Sequence, residues 1–272
     1  MTALTAGRWG QHINNWIVTV PAAALVIAVG SSISSAGELH DAVLSNDPAA
    51  LEALLDGGAV VDDSDFLLGT ALHHAVVAND LESTKILIAH GADVDAVSEQ
   101  QGSRPLHLAA EANSINVLVP LVQAGADIEA KDGLGRQPLS RAAAAGHAKA
   151  VERLLFYGAE IDARNGVSYR TPLIEAAYEG HLDSVKILVQ RGADINIRAD
   201  NGKTALWYAA TESSYRPAGG PQLIEFLAEK GANLEAADNT GMTPLAWARV
   251  SAARDEIYKE IAEVLIDLGA KN

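Results

Sequence analysis

The sequence predicts an all-α repeat solenoid, a stack of helix-turn-helix units joined by projecting β-hairpin loops. Three observations lead to this fold class. Two short motifs recur at intervals of about 33 residues, the apolar residues are mostly Ala, Leu, Val and Ile, and aromatic residues make up only 5% of the chain. A single helix pair cannot bury its own apolar face, so neighbouring pairs must stack around one continuous core.

The first recurring motif is a tetrad similar to T-P-L that marks the first helix of each unit. The tetrads read TALH, RPLH, QPLS, TPLI, TALW and TPLA, with leucines at Leu72, Leu106, Leu139, Leu173, Leu206 and Leu245. A threonine here can cap the helix by accepting a hydrogen bond from an unpaired backbone N–H. A proline fits the first helical turn because no donor is needed there. We expect the leucines to face the neighbouring unit.

The second motif is Gly-Ala, which is predicted to end the second helix of each unit. It begins at Gly58, Gly91, Gly125, Gly158, Gly192, Gly231 and Gly269. Glycine can adopt the positive φ that terminates a helix. Gly146 and Gly180 are predicted to separate the two helices of their units, and words such as KDGLG at 131–135 to form the projecting hairpins.

These words resemble the consensus of the ankyrin repeat, whose period is about 33 residues. The resemblance covers residues 37–272 and implies a protein-binding scaffold that is not an enzyme. It also implies binding through the hairpin tips and the concave face of the first helices. We expect about seven repeats: a cap without a tetrad at 37–61, then 62–96, 97–130, 131–163, 164–197, 198–236 and 237–272.

The last two repeats depart from the pattern because they carry extra residues between their helices. The tetrad leucine lies 19 residues before the terminal glycine in four repeats, but 25 and 24 residues before it in the last two. Segment 211–221 is predicted to be a loop with Tyr215 and Arg216 at its tip. Such a loop is either a binding element or tolerated drift. Segment 249–259 is predicted to lengthen the helices that precede a polar C-terminal cap.

The first 36 residues have the layout of a signal peptide. Arg8 precedes an apolar run of 14 residues at 16–29, and small residues follow up to Ala36. The run is shorter than the roughly 20 residues that span a membrane. We therefore expect cleavage and a periplasmic or secreted protein, as in the exported bacterial ankyrin proteins that this layout resembles. The alternatives are an uncleaved anchor facing outside the cytoplasm, or a disordered start.

The composition limits the classes of partner. A net charge of −15 disfavours nucleic acid, because phosphate backbones attract basic surfaces. It favours a protein partner with basic or mixed charge. Membrane contact is expected only if residues 16–29 stay uncleaved, and the protein is expected to be a monomer without a cofactor.

The candidate partner-binding residues lie in the C-terminal half. Tyr178 and Glu179 follow the tetrad alanines, and Trp207, Tyr208 and Trp247 occupy the next repeats. Aromatic side chains often anchor interfaces. The alternative is that both tryptophans fill gaps between helices. Further candidates are the loop residues Tyr215 and Arg216, together with the hairpin residues Arg164, Asn165 and Arg198 as polar rim contacts.

Catalytic and metal chemistry are not expected. His73 and His107 belong to tetrads, where the resemblance implies hydrogen bonds to the backbone between repeats. His73 and His74 are adjacent on a helix and so face different ways, and no three converging ligands are apparent. The sequence contains no nucleophile elbow, phosphate loop or dinucleotide fingerprint. The remaining alternatives are a membrane-tethered scaffold, or an accessory subunit that supports a stress-defence enzyme.

Overall fold

The computed structural model describes residues 35–66, 68–99, 101–211, 220–253 and 256–271. These residues form fourteen α-helices, which succeed one another along the chain as seven pairs. The helices are α1 Ser35–Leu44, α2 Pro48–Asp56, α3 Ala71–Val77, α4 Leu81–Ala89, α5 Pro105–Glu111, α6 Ile115–Gln123, α7 Pro138–Ala144, α8 Ala148–Phe156, α9 Pro172–Tyr178, α10 Leu182–Gln190, α11 Ala205–Thr211, α12 Gly220–Glu229, α13 Pro244–Ser251 and α14 Glu256–Asp267. The predicted all-α solenoid is confirmed.

The helices form two layers. Odd-numbered helices contact one another in sequence from α1 to α13, and even-numbered helices contact their neighbours from α2 to α10 and again from α12 to α14. The tetrad leucines lie in the first layer and are at most 2% exposed. The core is therefore continuous from one repeat to the next, as expected for an array whose units share their apolar faces.

The tetrads begin their helices for the predicted reasons. Thr171 Oγ1 accepts a hydrogen bond from the Ile174 N–H at 3.3 Å, and Thr243 Oγ1 accepts one from the Ala246 N–H at 3.2 Å. Prolines occupy the first turns of α5, α7, α9 and α13. The Gly-Ala glycines all have positive φ, between 83° and 97°. Local sequence thus determines where these helices start and stop.

The tetrad histidines join successive repeats. His107 Nδ1 accepts a hydrogen bond from the Arg104 N–H, and Nε2 donates to the carbonyl oxygens of Ala130 and Arg136 at 3.0 Å each. His73 Nε2 donates in the same way to the carbonyl of Ser103. These contacts confirm the predicted histidine bridges between repeats.

The cap repeat has neither threonine nor proline where the tetrads have them, but two of its residues occupy tetrad positions. Leu39 is fully buried, and it precedes Leu72 by 33 residues. His40 Nε2 donates to the carbonyl of Gly69 at 2.9 Å, and Gly69 immediately precedes the N-cap residue of α3. Leu39 and His40 therefore take the structural roles of the tetrad leucine and the tetrad histidine in the cap repeat.

The hairpin loops also contact one another. Asp132 N donates to Arg136 O at 2.9 Å within one loop, and Gly133 N donates to Gln101 O of the preceding loop at 2.9 Å. A Cβ atom at Gly133 would lie 2.7 Å from that Gln101 oxygen, so the approach requires glycine. Two isolated antiparallel bridges, Ser64 to Thr70 and Asn165 to Arg170, mark loops of this kind.

The C-terminal end agrees with the predicted lengthening and cap. Helix α14 has 12 residues, against nine in α10. The charged residues of this polar cap are exposed on α14: Glu256, Lys259, Glu260, Glu263 and Asp267. The tip residues Tyr215 and Arg216 of the other insertion lie outside the described residues, as does nearly all of the predicted leader, because α1 begins at Ser35. Within the described ranges, no helix combines the length and apolar character needed to cross a membrane.

Acid is expected to weaken the repeat interface at His107. Burial, and then the positive charge of Arg141, lower the pKa of His107 below its ordinary value. In the unfolded chain the His107 imidazole is protonated near pH 6.5, whereas in the folded chain it is protonated only at lower pH. The stabilisation that neutral His107 provides is therefore complete above about pH 6.5 and declines below it. Urea unfolding at about pH 7.5 and about pH 5.5 should show a smaller pH-dependent loss for His107→Gln than for the unchanged chain. Equal losses in both chains would contradict this assignment.

Candidate protein-interaction surface

A row of edge-to-face aromatic contacts runs through the last three described repeats. Tyr178 contacts Tyr208 with ring centroids 5.5 Å apart, and Trp207 lies 6.1 Å from both Tyr208 and Trp247. Trp247 then contacts Tyr258 of α14 at 5.0 Å. Pairs of this geometry stabilise a structure beyond the apolar area that they bury. We call these five residues the aromatic row.

Two members of the aromatic row are corrected from partner contacts to internal supports. Trp207 is 1% exposed and Tyr208 is 0% exposed, so neither offers a surface to a partner in this conformation. The Trp207 indole donates from Nε1 to the carbonyl of Met242 at 3.0 Å, which joins two repeats. Trp207 therefore fills the space between helices, as the alternative interpretation held. Trp247 is half-buried.

Cations of the protein itself cover the faces of these rings. The Arg170 guanidinium carbon lies 4.3 Å from the centroid of Tyr178 and 4.8 Å from that of Tyr208. Lys203 Nζ lies 3.6 Å from the centroid of Trp207. Such contacts are favourable because the ring face carries negative charge density. A partner that approaches here meets a half-buried Tyr178 whose position is already fixed.

Two acidic residues lie beside Tyr178: Glu175 within α9 and Glu179 at its C-cap. Glu175 Oε2 lies 3.5 Å from Arg170 Nη1, whereas Glu179 is exposed. Desolvation by the surrounding side chains, and then the charge of Glu175, raise the pKa of Glu179 above its ordinary value, against the opposing effect of Arg170. A basic partner group near Glu179 would relieve this repulsion. Tyr178 and Glu179 thus remain accessible candidates.

The predicted rim residues divide into two kinds. Arg164 and Arg198 are exposed, and each donates a hydrogen bond to the backbone of the next loop: Arg164 Nη1 to Arg198 O at 3.0 Å, and Arg198 Nη2 to Ala237 O at 2.8 Å. Asn165 is 2% exposed and accepts a hydrogen bond from the Gln137 N–H at 2.8 Å. Asn165 is therefore a loop-forming residue, and its expected rim role is corrected.

A second candidate surface, which the sequence analysis missed, lies on the hairpin loops. Exposed apolar side chains occur on four successive loops: Phe66 (79% exposed), Val97 (60%), Leu134 (62%), Val167 (90%) and Tyr169 (54%). We call these five residues the loop-tip row. Single exposed apolar residues are ordinary, but at least one on each of four successive loops indicates an interaction surface, and Leu134 and Val167 occupy equivalent positions 33 residues apart. The available signal was an apolar residue inside hairpin words such as DGLG, where polar residues are usual.

A buried ion pair joins the central repeats. Arg141 and Asp132 have side chains that are 1% and 0% exposed, with Arg141 Nε donating to Asp132 Oδ2 at 2.7 Å. Arg141 also contacts Glu111 and donates to Ser103 Oγ at 2.9 Å. Although burial opposes it, hydrogen bonding by the Arg136 N–H and the charge of Arg141 hold the pKa of Asp132 below its ordinary value. The arrangement is structural, because protein groups enclose both charges.

The two adjacent histidines of α3 diverge, as expected. His73 bonds to the Ser103 carbonyl of the next repeat, whereas His74 Nε2 lies 2.8 Å from Asp65 Oδ2 of the first loop. The structure also brings His40 of α1 against His74, with ring centroids 4.9 Å apart. Sequence reasoning missed this trio because its members come from three separate elements.

Together, the stacked helix pairs and linked hairpins define a repeat scaffold. The family model for ankyrin repeats in three copies matches residues 39–132 and 139–218, and the model for a single ankyrin repeat matches 201–239. These matches cover most of the chain, which therefore belongs to the ankyrin repeat family. Repeats of this family are scaffolds for protein interaction.

Two solved structures show the same architecture. The ankyrin repeat domain of Bcl-3, described as a unique member of the IkappaB protein family, is 29% identical with a TM-score of 0.67, over 83% of this chain and 97% of that one. The human ASB11 ankyrin repeat domain is 26% identical with a TM-score of 0.73, over 86% of this chain and 98% of that one. The comparison with curated proteins gives no match.

Proposed function

We propose that this protein is a non-enzymatic scaffold that docks a partner protein across the loop-tip row and the adjacent concave face. The observation that carries the proposal is the series of apolar side chains on successive loops, which range from 54% to 90% exposed. Loops on a rigid scaffold are common binding sites because the scaffold holds them in place. The contact would extend onto the first-layer helices α9 and α13 through Tyr178, Glu179 and Trp247. Arg164 and Arg198 would lie at its rim.

Charge indicates the chemistry of the partner. The chain carries a net charge of −15, and Glu179 is exposed at the C-terminal end of α9. A partner that presents apolar side chains flanked by lysine or arginine would match both surfaces, and opposite charge would speed the encounter. Nucleic acid does not fit, because its phosphates would be repelled.

The proposed location is the cell envelope or the medium, after removal of residues 1–36. The signal-peptide layout of this segment supports export. Mass spectrometry of the N-terminus, on soluble and membrane fractions of native cells, tests it. A soluble chain that starts near Gly37 supports export. An intact Met1 in the membrane fraction would favour the tethered scaffold, and an intact soluble cytoplasmic chain would refute both. Support of a stress-defence enzyme is a narrower form of the same scaffold role.

Replacing Leu134 and Val167 together by serine is expected to weaken partner binding at least tenfold. Apolar anchors that are buried at an interface commonly contribute about 1–2 kcal/mol or more, and about 1.4 kcal/mol corresponds to tenfold in Kd. Both side chains are exposed in the free protein, so stability should change little. The partner is captured on the unchanged chain, identified and purified, and its Kd is then measured by calorimetry against both chains.

The matched control replaces two exposed apolar residues elsewhere. Phe156 and Ile266 are 67% and 46% exposed and lie on the second-layer helices α8 and α14, away from the loop tips and the first-layer helices. Their double serine variant should bind like the unchanged chain. Equal binding by both double variants would refute the loop-tip row as the docking surface, and a variant that processes a substrate catalytically would refute the scaffold role itself.

A further inference from the structure

Three side chains that commonly ligate metals converge at the N-terminal end of the stack. They are His40 from α1, Asp65 from the first hairpin loop and His74 from α3. One ligand atom from each lies within 4.8 Å of the ligand atoms of the other two. His40 and His74 are 4% and 9% exposed. Convergence of buried imidazoles and a carboxylate from three elements is the donor set that zinc prefers in proteins.

The Asp65 carboxylate is oriented by the loop itself. Its Oδ1 atom accepts hydrogen bonds from the backbone N–H groups of Leu68 and Gly69, both at 2.9 Å. The other oxygen, Oδ2, lies 2.8 Å from His74 Nε2. Backbone donors that hold one carboxylate oxygen while the other faces the site are typical outer-shell partners of metal ligands.

The two imidazoles are likewise held in place. His40 Nε2 bonds to the Gly69 carbonyl at 2.9 Å, and the His40 ring meets the His74 ring edge to face at 4.9 Å. Little side-chain freedom therefore remains to be lost when a ligand binds. Tetrahedral coordination at metal–ligand distances of about 2.0–2.2 Å requires donor atoms about 3.3 Å apart. The His74 and Asp65 donor atoms are 2.8 Å apart and every donor lies within 4.8 Å of the others, so coordination requires the side chains to adjust around the ion.

We propose that His40, Asp65 and His74 bind one divalent transition-metal ion of the zinc class. When His74 Nε2 binds the ion, the single proton of the neutral ring is carried on Nδ1 after exchange with solvent, and a water molecule completes the tetrahedron. Two nitrogen donors and one oxygen donor favour this class over magnesium or calcium, which prefer oxygen alone. The bound ion would tie α1, the first loop and α3 together, and would fix the loop that carries Phe66. This inference is independent of the partner-docking proposal.

Isothermal titration of the chelator-treated chain with ZnCl₂ tests the site. We expect one ion per chain, together with a rise in the thermal unfolding midpoint when zinc is present, because a ligand that binds only the folded state stabilises it. Asp65→Asn keeps the acceptor for the Leu68 and Gly69 amides but removes the charged ligand. Changes in outer-shell partners alone cost about 10–100-fold in affinity, so Asp65→Asn and His74→Gln should each weaken binding more than about 100-fold.

His90→Gln is the matched control. His90 Nε2 lies 3.9 Å from Asp56 Oδ1, so this residue is a histidine beside a carboxylate that lies outside the trio. It should bind zinc as the unchanged chain does. Circular dichroism verifies that each variant is folded. Should the unchanged chain bind zinc no more tightly than Asp65→Asn, or should Co²⁺ bound to it lack the visible absorption of tetrahedral coordination, the site is refuted and the trio is a hydrogen-bond network alone.

Discussion

Replacing Arg141 by methionine is expected to destabilise the protein by about 3 kcal/mol, the lower end of the cost of removing one partner of a buried ion pair, because the partly exposed Arg136 still pairs with Asp132. Asp132 has a fully buried side chain, and Arg141 is the buried cation that neutralises it. Methionine fills a similar volume but supplies no donor. The carboxylate of Asp132 would then keep only the loop amides of Leu134 and Arg136 and the half-buried Arg136 side chain.

Urea unfolding of three variants separates the charge from the packing. Asp132→Asn combined with Arg141→Met removes both charges while the asparagine oxygen can still accept from the loop amides, so this double variant should be more stable than Arg141→Met alone. Arg153→Met is the surface control, because Arg153 is exposed on α8. A loss below about 1 kcal/mol for Arg141→Met, the scale of a surface ion pair, would show that Asp132 does not depend on it.

The fold was predictable because each recurring motif starts or ends a helix for a local physical reason. Thr171 caps the helix it precedes, and Gly58 takes the positive φ that ends one, without any help from distant residues. Repetition adds the long-range information, since a unit that recurs must pack on its own copy. The longer α14 followed from counting the residues between Leu245 and Gly269.

The candidate sites were less predictable, because their partners come from different repeats. Arg141 meets Asp132 nine residues away and Glu111 thirty residues away, and no local pattern specifies that combination. The trio of His40, Asp65 and His74 likewise draws on two repeats. The 33-residue period does contain part of this information, since it places His40 in register with His73. Aligning the repeats by this period, rather than by the T-P-L motif alone, identifies Leu39 and His40 as the counterparts of Leu72 and His73.

The same alignment of the repeats explains why Trp207 is buried. It occupies the tetrad position of His73 and His107, and both histidines are fully buried. Its Nε1 donates to the carbonyl of Met242, the residue just before the N-cap of the next first-layer helix. The histidines donate to the equivalent carbonyls of Ser103 and Arg136. Trp207 therefore performs the bridging role of a tetrad histidine, which is why it lies inside the stack.

Trp207→Ala is accordingly expected to destabilise the protein by about 3–5 kcal/mol, the usual cost of removing a buried tryptophan side chain. The variant loses the contacts with Tyr208 and Trp247 and one of the two hydrogen bonds that the Met242 carbonyl accepts, the other coming from the Asp238 N–H. Trp207→His restores a donor at the position where the other tetrads use one, so it should lose less. The difference in unfolding free energy between Trp207→His and Trp207→Ala measures the hydrogen bond to the Met242 carbonyl together with the packing of the imidazole.

The loss should also be local. Because stability in a repeat array is nearly a sum over adjacent units, α13 and α14 of the Trp207→Ala variant should unfold more readily than the rest of the stack. Hydrogen exchange measured by mass spectrometry should therefore show faster exchange in α13 and α14, with α3 to α8 unchanged. Uniformly faster exchange along the chain would mean that the array unfolds as one unit. Unchanged stability together with lost partner binding would instead return Trp207 to the interaction surface.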